Sequence, residues 1–139
     1  MTILLIEDNR LFSELVETNL ADIEVHVVET LGAALEWLNT FHADMILVDL
    51  GLPDSSGLNT LKALRHIKTP KIVVTGADES PEQAAQLGAT DYVIKADPNR
   101  LIKRLRFHIS RLSKKPRFAP GVFEEIRACL EHRDFVMMS

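Results

Sequence analysis

Short apolar runs alternate with amphipathic stretches five times along this 139-residue chain, and no other feature narrows the fold so far. Thr2–Ile6 is a compact apolar run suited to a strand buried on both faces. Residues 10–21 place Leu11, Leu15, Val16 and Leu20 on one helical stripe. Glu24–Val28 reads as a second, more exposed strand. Thr30 can cap a helix over 31–41 in which Ala34, Leu35 and Leu38 face inward. Met45–Val48 is a third strand, and Gly51, Pro53 and Gly57 mark a loop. A helix over 58–67 follows, carried by Leu58, Leu61 and Leu64. Lys71–Thr75 is a fourth strand. Ser80 can cap a helix over 81–87, with Pro81 at its first position and Gly88 in the turn that ends it. Residues 91–95 make a fifth strand and residues 98–112 a long last helix.

This order predicts an α/β fold: a doubly wound, five-stranded parallel sheet with right-handed crossovers and helices on both faces. The expected domain covers residues 1–113. Residues 114–139 form a C-terminal extension, read as one short helix with Val122, Phe123, Ile126 and Leu130 as its apolar stripe. About 25 residues cannot carry a second core.

In open parallel sheets, ligands bind beyond the carboxyl ends of the strands. Four such ends here carry polar residues that the strands do not need: Glu7-Asp8, Asp49, Thr75-Gly76 and Lys95. Each has an ordinary explanation. Glu-Asp after a strand usually caps a helix, and Asp8 could cap the first one; an Asp forms turns, Thr-Gly is loop chemistry, and a Lys is a solvated end. Their coincidence at four strand ends of one sheet is what the ordinary explanations leave out. Three gathered carboxylates repel one another unless a cation offsets them. Mg2+ suits such a site, since it takes oxygen ligands and keeps several waters. With Lys95 as a fixed charge and Thr75 as a hydroxyl donor, the set matches the needs of a phosphoryl group in transfer, and Asp49 is the nucleophile.

Taken together, Leu5-Ile6-Glu7-Asp8-Asn9, the run Ile46 to Gly57 around Asp49, Val73-Val74-Thr75-Gly76 and Asp91-Tyr92-Val93-Ile94-Lys95 resemble the receiver domain of two-component response regulators, over about residues 2–113. The resemblance implies a CheY-like, flavodoxin-like sheet of strand order 2-1-3-4-5. It implies that Asp49 accepts phosphate from a histidine kinase or histidine phosphotransfer protein. It also implies that Glu7, Asp8 and Asp49 hold Mg2+, with the backbone carbonyl of Gly51 completing the protein ligands. Thr75 and Tyr92 become the switch pair and Lys95 the contact to the phosphoryl oxygens. The output is then a protein-interaction surface on the fourth helix, fifth strand and fifth helix, and the chain is a self-phosphorylating, self-dephosphorylating switch rather than a turnover enzyme. Two positions depart from the family pattern. Ala96 follows Lys95 where proline is common, so a trans link is expected, and Gly76 and Ala77 are both small.

Charge is segregated. Residues 1–94 hold five Lys/Arg against fifteen Asp/Glu, whereas residues 95–117 hold nine against one. Arg100, Lys103, Arg104, Arg106, Arg111, Lys114, Lys115 and Arg117 are read either as a solvated cationic helix or as a docking face for a downstream protein. Direct DNA binding is not expected, because no helix-turn-helix pattern follows, and a homodimer is left open. No apolar run reaches the roughly 20 residues that span a bilayer, and Met1 to Asp8 lacks the basic flank of a secretion signal. The single cysteine, Cys129, excludes an internal disulfide, so a cytoplasmic setting is expected. The histidines lack metal-ligand spacing and are read as structural or exposed. Two rival functions are a pseudo-receiver acting by protein interaction alone and a Mg2+-dependent phosphohydrolase. The latter needs an acid two residues beyond Asp49, where Gly51 stands.

Overall fold

A computed structural model describes residues 1–76 and 81–113. The expected cap Ser80, the small residue Ala77, the extension over 114–139 with Cys129, and the basic residues Lys114, Lys115 and Arg117 lie outside the described residues. The chain divides into two compact units, Met1–His108 and Ile109–Ser139.

The first unit is built on five parallel strands: β1 (Thr2–Ile6), β2 (Glu24–Val28), β3 (Met45–Val48), β6 (Lys71–Thr75) and β7 (Asp91–Ile94), in the order β2-β1-β3-β6-β7. This is the doubly wound, CheY-like order expected, counted over the five long strands. Burial follows position. Ile3 to Ile6, Met45 to Val48 and Ile72 to Val74 are almost wholly covered, because three central strands have neighbours on both sides and helices above and below. The outer strands β2 and β7 are half-buried.

Helices α1 (Arg10–Asn19), α2 (Leu31–Thr40), α3 (Asn59–Ala63), α4 (Pro81–Gln86) and α5 (Pro98–Ser113) complete the fold. Alternate strand residues point to opposite faces. Leu4, Ile6, Ile46, Val48 and Val73 pack with Ala34 of α2, Leu61 of α3 and Ala84 of α4 in one cluster. Right-handed crossovers put α1, which connects strands in the reverse direction, on the other face. The Arg106 guanidinium of α5 reaches the same side, donating to the Asn19 carbonyl and the Asp22 carboxylate at 2.8 Å.

Four local expectations are corrected. Asp8 does not cap α1; Asn9 does, its side-chain oxygen accepting from Phe12 N at 3.1 Å. Leu11 leaves the expected stripe and is 80% exposed, because Ser13, Val16 and Leu20 take the buried positions. The third helix stops at Ala63 rather than running to residue 67. Leu64, Arg65 and Ile67 each donate to a carbonyl three residues back, a tighter winding that ends the α-helical ladder. The loop over 51–57 contains a small antiparallel ribbon, β4 (Gly51–Leu52) with β5 (Ser55–Ser56), closed by Gly57 N donating to the Leu50 carbonyl at 2.7 Å. Thr30 caps α2 as expected, and Gly88 has the positive φ of 100° that a helix-ending glycine supplies.

An ionic knot that the sequence did not suggest ties α5 to β7. Asp91 accepts from Arg104 Nε and Nη2 at 2.9 and 2.7 Å and lies 2.8 Å from His108 Nε2. Burial alone pushes the Asp91 carboxyl up, but hydrogen bonds from His108 and Arg104 outweigh it and hold it below the usual range. A depressed folded-state pKa stabilises above the ordinary Asp value and loses its effect as pH falls through the folded value. Asp91→Asn is therefore expected to cost about 2 kcal/mol near pH 7 and progressively less as pH falls below the ordinary Asp value, as read by thermal melts along that pH series.

Candidate phosphoacceptor and metal site

The register aligns the carboxyl ends of the strands. Ile6 pairs with Val28 and with Val48, Val48 with Val73, and Thr75 with Ile94. Chain direction across the sheet reverses between β1 and β3, so a crevice opens beyond those two strands. Glu7-Asp8 and Asp49 are the residues that immediately follow them.

The crevice brings three carboxylates together. Glu7, Asp8 and Asp49 each offer an oxygen, and these oxygens lie within 4.8 Å of one another. Glu7 and Asp49 are buried, at 1% and 7% exposure, while Asp8 is exposed. Lys95, just past β7, sends its ammonium between the buried pair, 2.7 Å from Glu7 Oε1 and 3.3 Å from Asp49 Oδ2. Its backbone N–H donates to the Thr75 carbonyl at 3.0 Å, which fixes where the side chain starts.

Backbone donors hold the other oxygens. Asn9 N donates to Glu7 Oε2 at 3.1 Å and Gly51 N to Asp49 Oδ1 at 3.2 Å. Glu7 Oε1 is buried and receives no aligned hydrogen bond; its counter-charge is the Lys95 ammonium. Burial pushes the Glu7 carboxyl above its ordinary range, and the neighbouring Asp49 charge pushes the same way. Lys95 and the Asn9 N–H pull against them without cancelling them. A hard divalent cation fits this chemistry: an all-oxygen donor set, a buried oxygen lacking an aligned donor, and one carboxylate on the solvent side where waters can complete a shell.

The remaining expected residues are also placed. Gly51 opens β4 two residues beyond Asp49. Thr75 ends β6 and is 1% exposed. Tyr92 of β7 is half-buried against the core cluster, and its N–H donates to the Asp91 carboxylate at 2.8 Å. Lys95 to Ala96 is not cis, and there is no cis peptide bond among the described residues.

Three contributors escaped sequence reasoning. Phe12 lies under Lys95, with the ammonium 4.7 Å from the ring centroid. Asn9 ties the site to the start of α1. Asp54, at the tip of the β4–β5 ribbon, accepts from Leu31 N and Gly32 N at 2.9 Å each, and those donors draw its carboxyl below the usual range. Only Asn9 had a signal in the chain order: a capping residue three positions before Phe12. The other two pair residues from distant segments.

The doubly wound sheet thus carries an acidic crevice and a lysine beyond its fifth long strand. A model of the response regulator receiver domain family matches residues 3–106, and the chain belongs to that family. It is 39% identical over 114 residues to the response regulator protein PmrA of Pseudomonas aeruginosa, covering 76% of this chain and 51% of that one. It is 31% identical over 120 residues to the transcriptional regulatory protein DltR of Streptococcus agalactiae, covering 81% and 54%. The chain thus spans about half the length of these relatives. Among solved structures, the BeF3-activated N-terminal receiver domain of Klebsiella pneumoniae RstA superposes with a TM-score of 0.69 at 28% identity, covering 78% of this chain and 97% of that one. The Mn2+-bound form of the response regulator Rcp1 gives 0.68 at 25%, covering 85% and 99%. No helix among the described residues is long and apolar enough to cross a membrane.

Proposed function

We propose that this receiver takes a phosphoryl group onto Asp49 from a phosphohistidine of a histidine kinase or histidine phosphotransfer protein, with Mg2+ held by Glu7, Asp8, Asp49 and the Gly51 carbonyl. The observation that carries the reading is the convergence of three carboxylate oxygens within 4.8 Å beside the Lys95 ammonium. An Asp49 oxygen attacks phosphorus, an O–P bond forms, the N–P bond of the donor breaks, and the freed imidazole keeps the bonding pair. The bound cation supplies charge neutralisation at the phosphoryl oxygens. Lys95 supplies a second, fixed positive charge there. Thr75 gives its hydroxyl to the phosphoryl group in the modified state alone, which biases the Tyr92 ring and the surface of α4, β7 and α5.

The output is binding, so the chain acts as a switch and not as a turnover enzyme, in a cytoplasmic setting. A downstream protein docks on that surface, and a second copy of the chain is a candidate for it. Residues 1–113 carry the receiver function and 114–139 the extension. Part of the basic character of α5 serves the fold itself, since Arg104 and Arg106 are engaged with Asp91 and Asp22. The pseudo-receiver is disfavoured by the complete set Glu7, Asp8, Asp49, Thr75 and Lys95. The phosphohydrolase is disfavoured by Gly51, which offers no side-chain acid or base.

The test is labelling by a small phosphodonor. Incubation with acetyl phosphate and Mg2+ is expected to give a single acid-stable, alkali-labile acyl phosphate, and EDTA is expected to abolish it. Equal labelling in EDTA would overturn the metal assignment.

A further inference from the structure

Lys95 stands in a closed ring of four contacts. Glu7 Oε2 accepts from Asn9 N at 3.1 Å. The Asn9 side chain accepts from Phe12 N at 3.1 Å. The Phe12 ring faces the Lys95 ammonium at 4.7 Å. That ammonium returns to Glu7 Oε1 at 2.7 Å. The first turn of α1 thus does more than bury apolar surface: its capping residue sets both the carboxylate and the aromatic ring against one lysine.

We infer that Phe12 is a positioning residue for phosphoryl transfer, holding the Lys95 ammonium at the crevice once its carboxylate partners are engaged elsewhere. The inference rests on the reading of Asp49 as phosphoacceptor. Lys95 and a divalent cation draw on the same two carboxylates, Glu7 and Asp49. When those carboxylates turn to a metal, Lys95 loses its anionic partners, and like-charge repulsion drives the flexible side chain toward water. The negative face of an aromatic ring attracts an ammonium without competing for the carboxylates. Phe12 is the contact that survives the exchange, so Lys95 remains where phosphoryl oxygens arrive. An aliphatic residue in the same place fills the space but attracts no charge.

Phe12→Leu and Phe12→Tyr in the full chain separate these properties. At saturating Mg2+, Phe12→Leu is expected to slow phosphorylation by acetyl phosphate about threefold to tenfold. Its affinity for Mn2+, followed by electron paramagnetic resonance in place of Mg2+, is expected to be unchanged or tighter, because a released lysine competes less for the carboxylates. Phe12→Tyr, which keeps the ring, is expected to recover most of the rate. A merely structural role would weaken metal binding and phosphorylation together. A normal rate for Phe12→Leu, equal slowing in both variants, or Mn2+ affinity falling in step with the rate would overturn the inference. Asp49→Asn serves as the control. If Asp49→Asn is labelled, the phosphoacceptor reading fails and takes the inference with it. If it stays unlabelled while Phe12→Leu reacts normally, the inference alone fails.

Discussion

Asp49→Asn is expected to lose labelling by acetyl phosphate by more than about 100-fold, a barrier increase of at least about 2.7 kcal/mol. The reason is chemical and not architectural. Asp49 Oδ1 accepts from Gly51 N, and the asparagine side-chain oxygen can accept the same bond, so the strand end and the start of the β4–β5 ribbon keep their anchor. What disappears is the second carboxylate oxygen, now 3.3 Å from the Lys95 ammonium, and with it the anionic nucleophile. The check is a time course of labelling at fixed Mg2+ together with a thermal melt. Loss of label with a melting temperature within a few degrees of the parent assigns the loss to chemistry. Retained label would place the acceptor elsewhere.

Lys95→Met is expected to reveal what the lysine does for the fold. It deletes the counter-charge of a carboxylate that is 1% exposed and of another that is 7% exposed. Removing one partner of a buried ion pair commonly costs about 3–5 kcal/mol. Lys95 itself is 21% exposed and Met retains the apolar stem, so about 2–3 kcal/mol is expected at pH 7 without divalent cation. For a domain of this size that lowers the melting temperature by about 8–12 °C. The pH dependence has a definite sign. Glu7 already carries a folded-state pKa above its ordinary value, and removing Lys95 takes away an influence that lowers it. A carboxyl raised in the folded state costs nothing while it is protonated in both states, and the cost grows as pH rises past its unfolded pKa. The deficit is therefore small below the ordinary Glu value and grows as pH rises above it. Millimolar Mg2+ is expected to shrink it, since a cation held by the same carboxylates replaces the missing charge and stabilises whatever form binds it. A deficit independent of both pH and Mg2+ would show that Lys95 acts only by packing.

How much of this was legible in the sequence depends on the range of the interaction. The alternation of apolar runs specifies strand or helix locally, and alternation five times leaves few topologies because parallel neighbours need crossovers of one hand. Glu7, Asp8, Asp49 and Lys95 could be read as a site because they follow strands, and strand ends of one parallel sheet meet at one edge. Gly88 and Pro81 likewise act through their own backbone, and Thr30 through a hydroxyl that accepts from the N–H three residues on. The misread elements depend on competition. Leu11 has the spacing of a buried residue, yet Ser13, Val16 and Leu20 occupy the interior. The third helix has the apolar pattern to reach residue 67, but its last residues wind into tighter turns.

The sequence by itself determined the order of elements, the central position of the most apolar strands, and the residue types at the strand ends, because these follow from hydrophobic periodicity and the handedness of L-residue chains. Only the tertiary structure decided the electrostatics. Glu7 is a buried, half-satisfied carboxylate and not a helix cap, Phe12 and Lys95 meet across 83 residues of chain, and Asp91 gathers Arg104 and His108. Such contacts depend on distances of a few ångströms between segments remote in sequence, and Coulomb and cation–π energies fall too steeply with distance and solvent exposure for residue order alone to fix them.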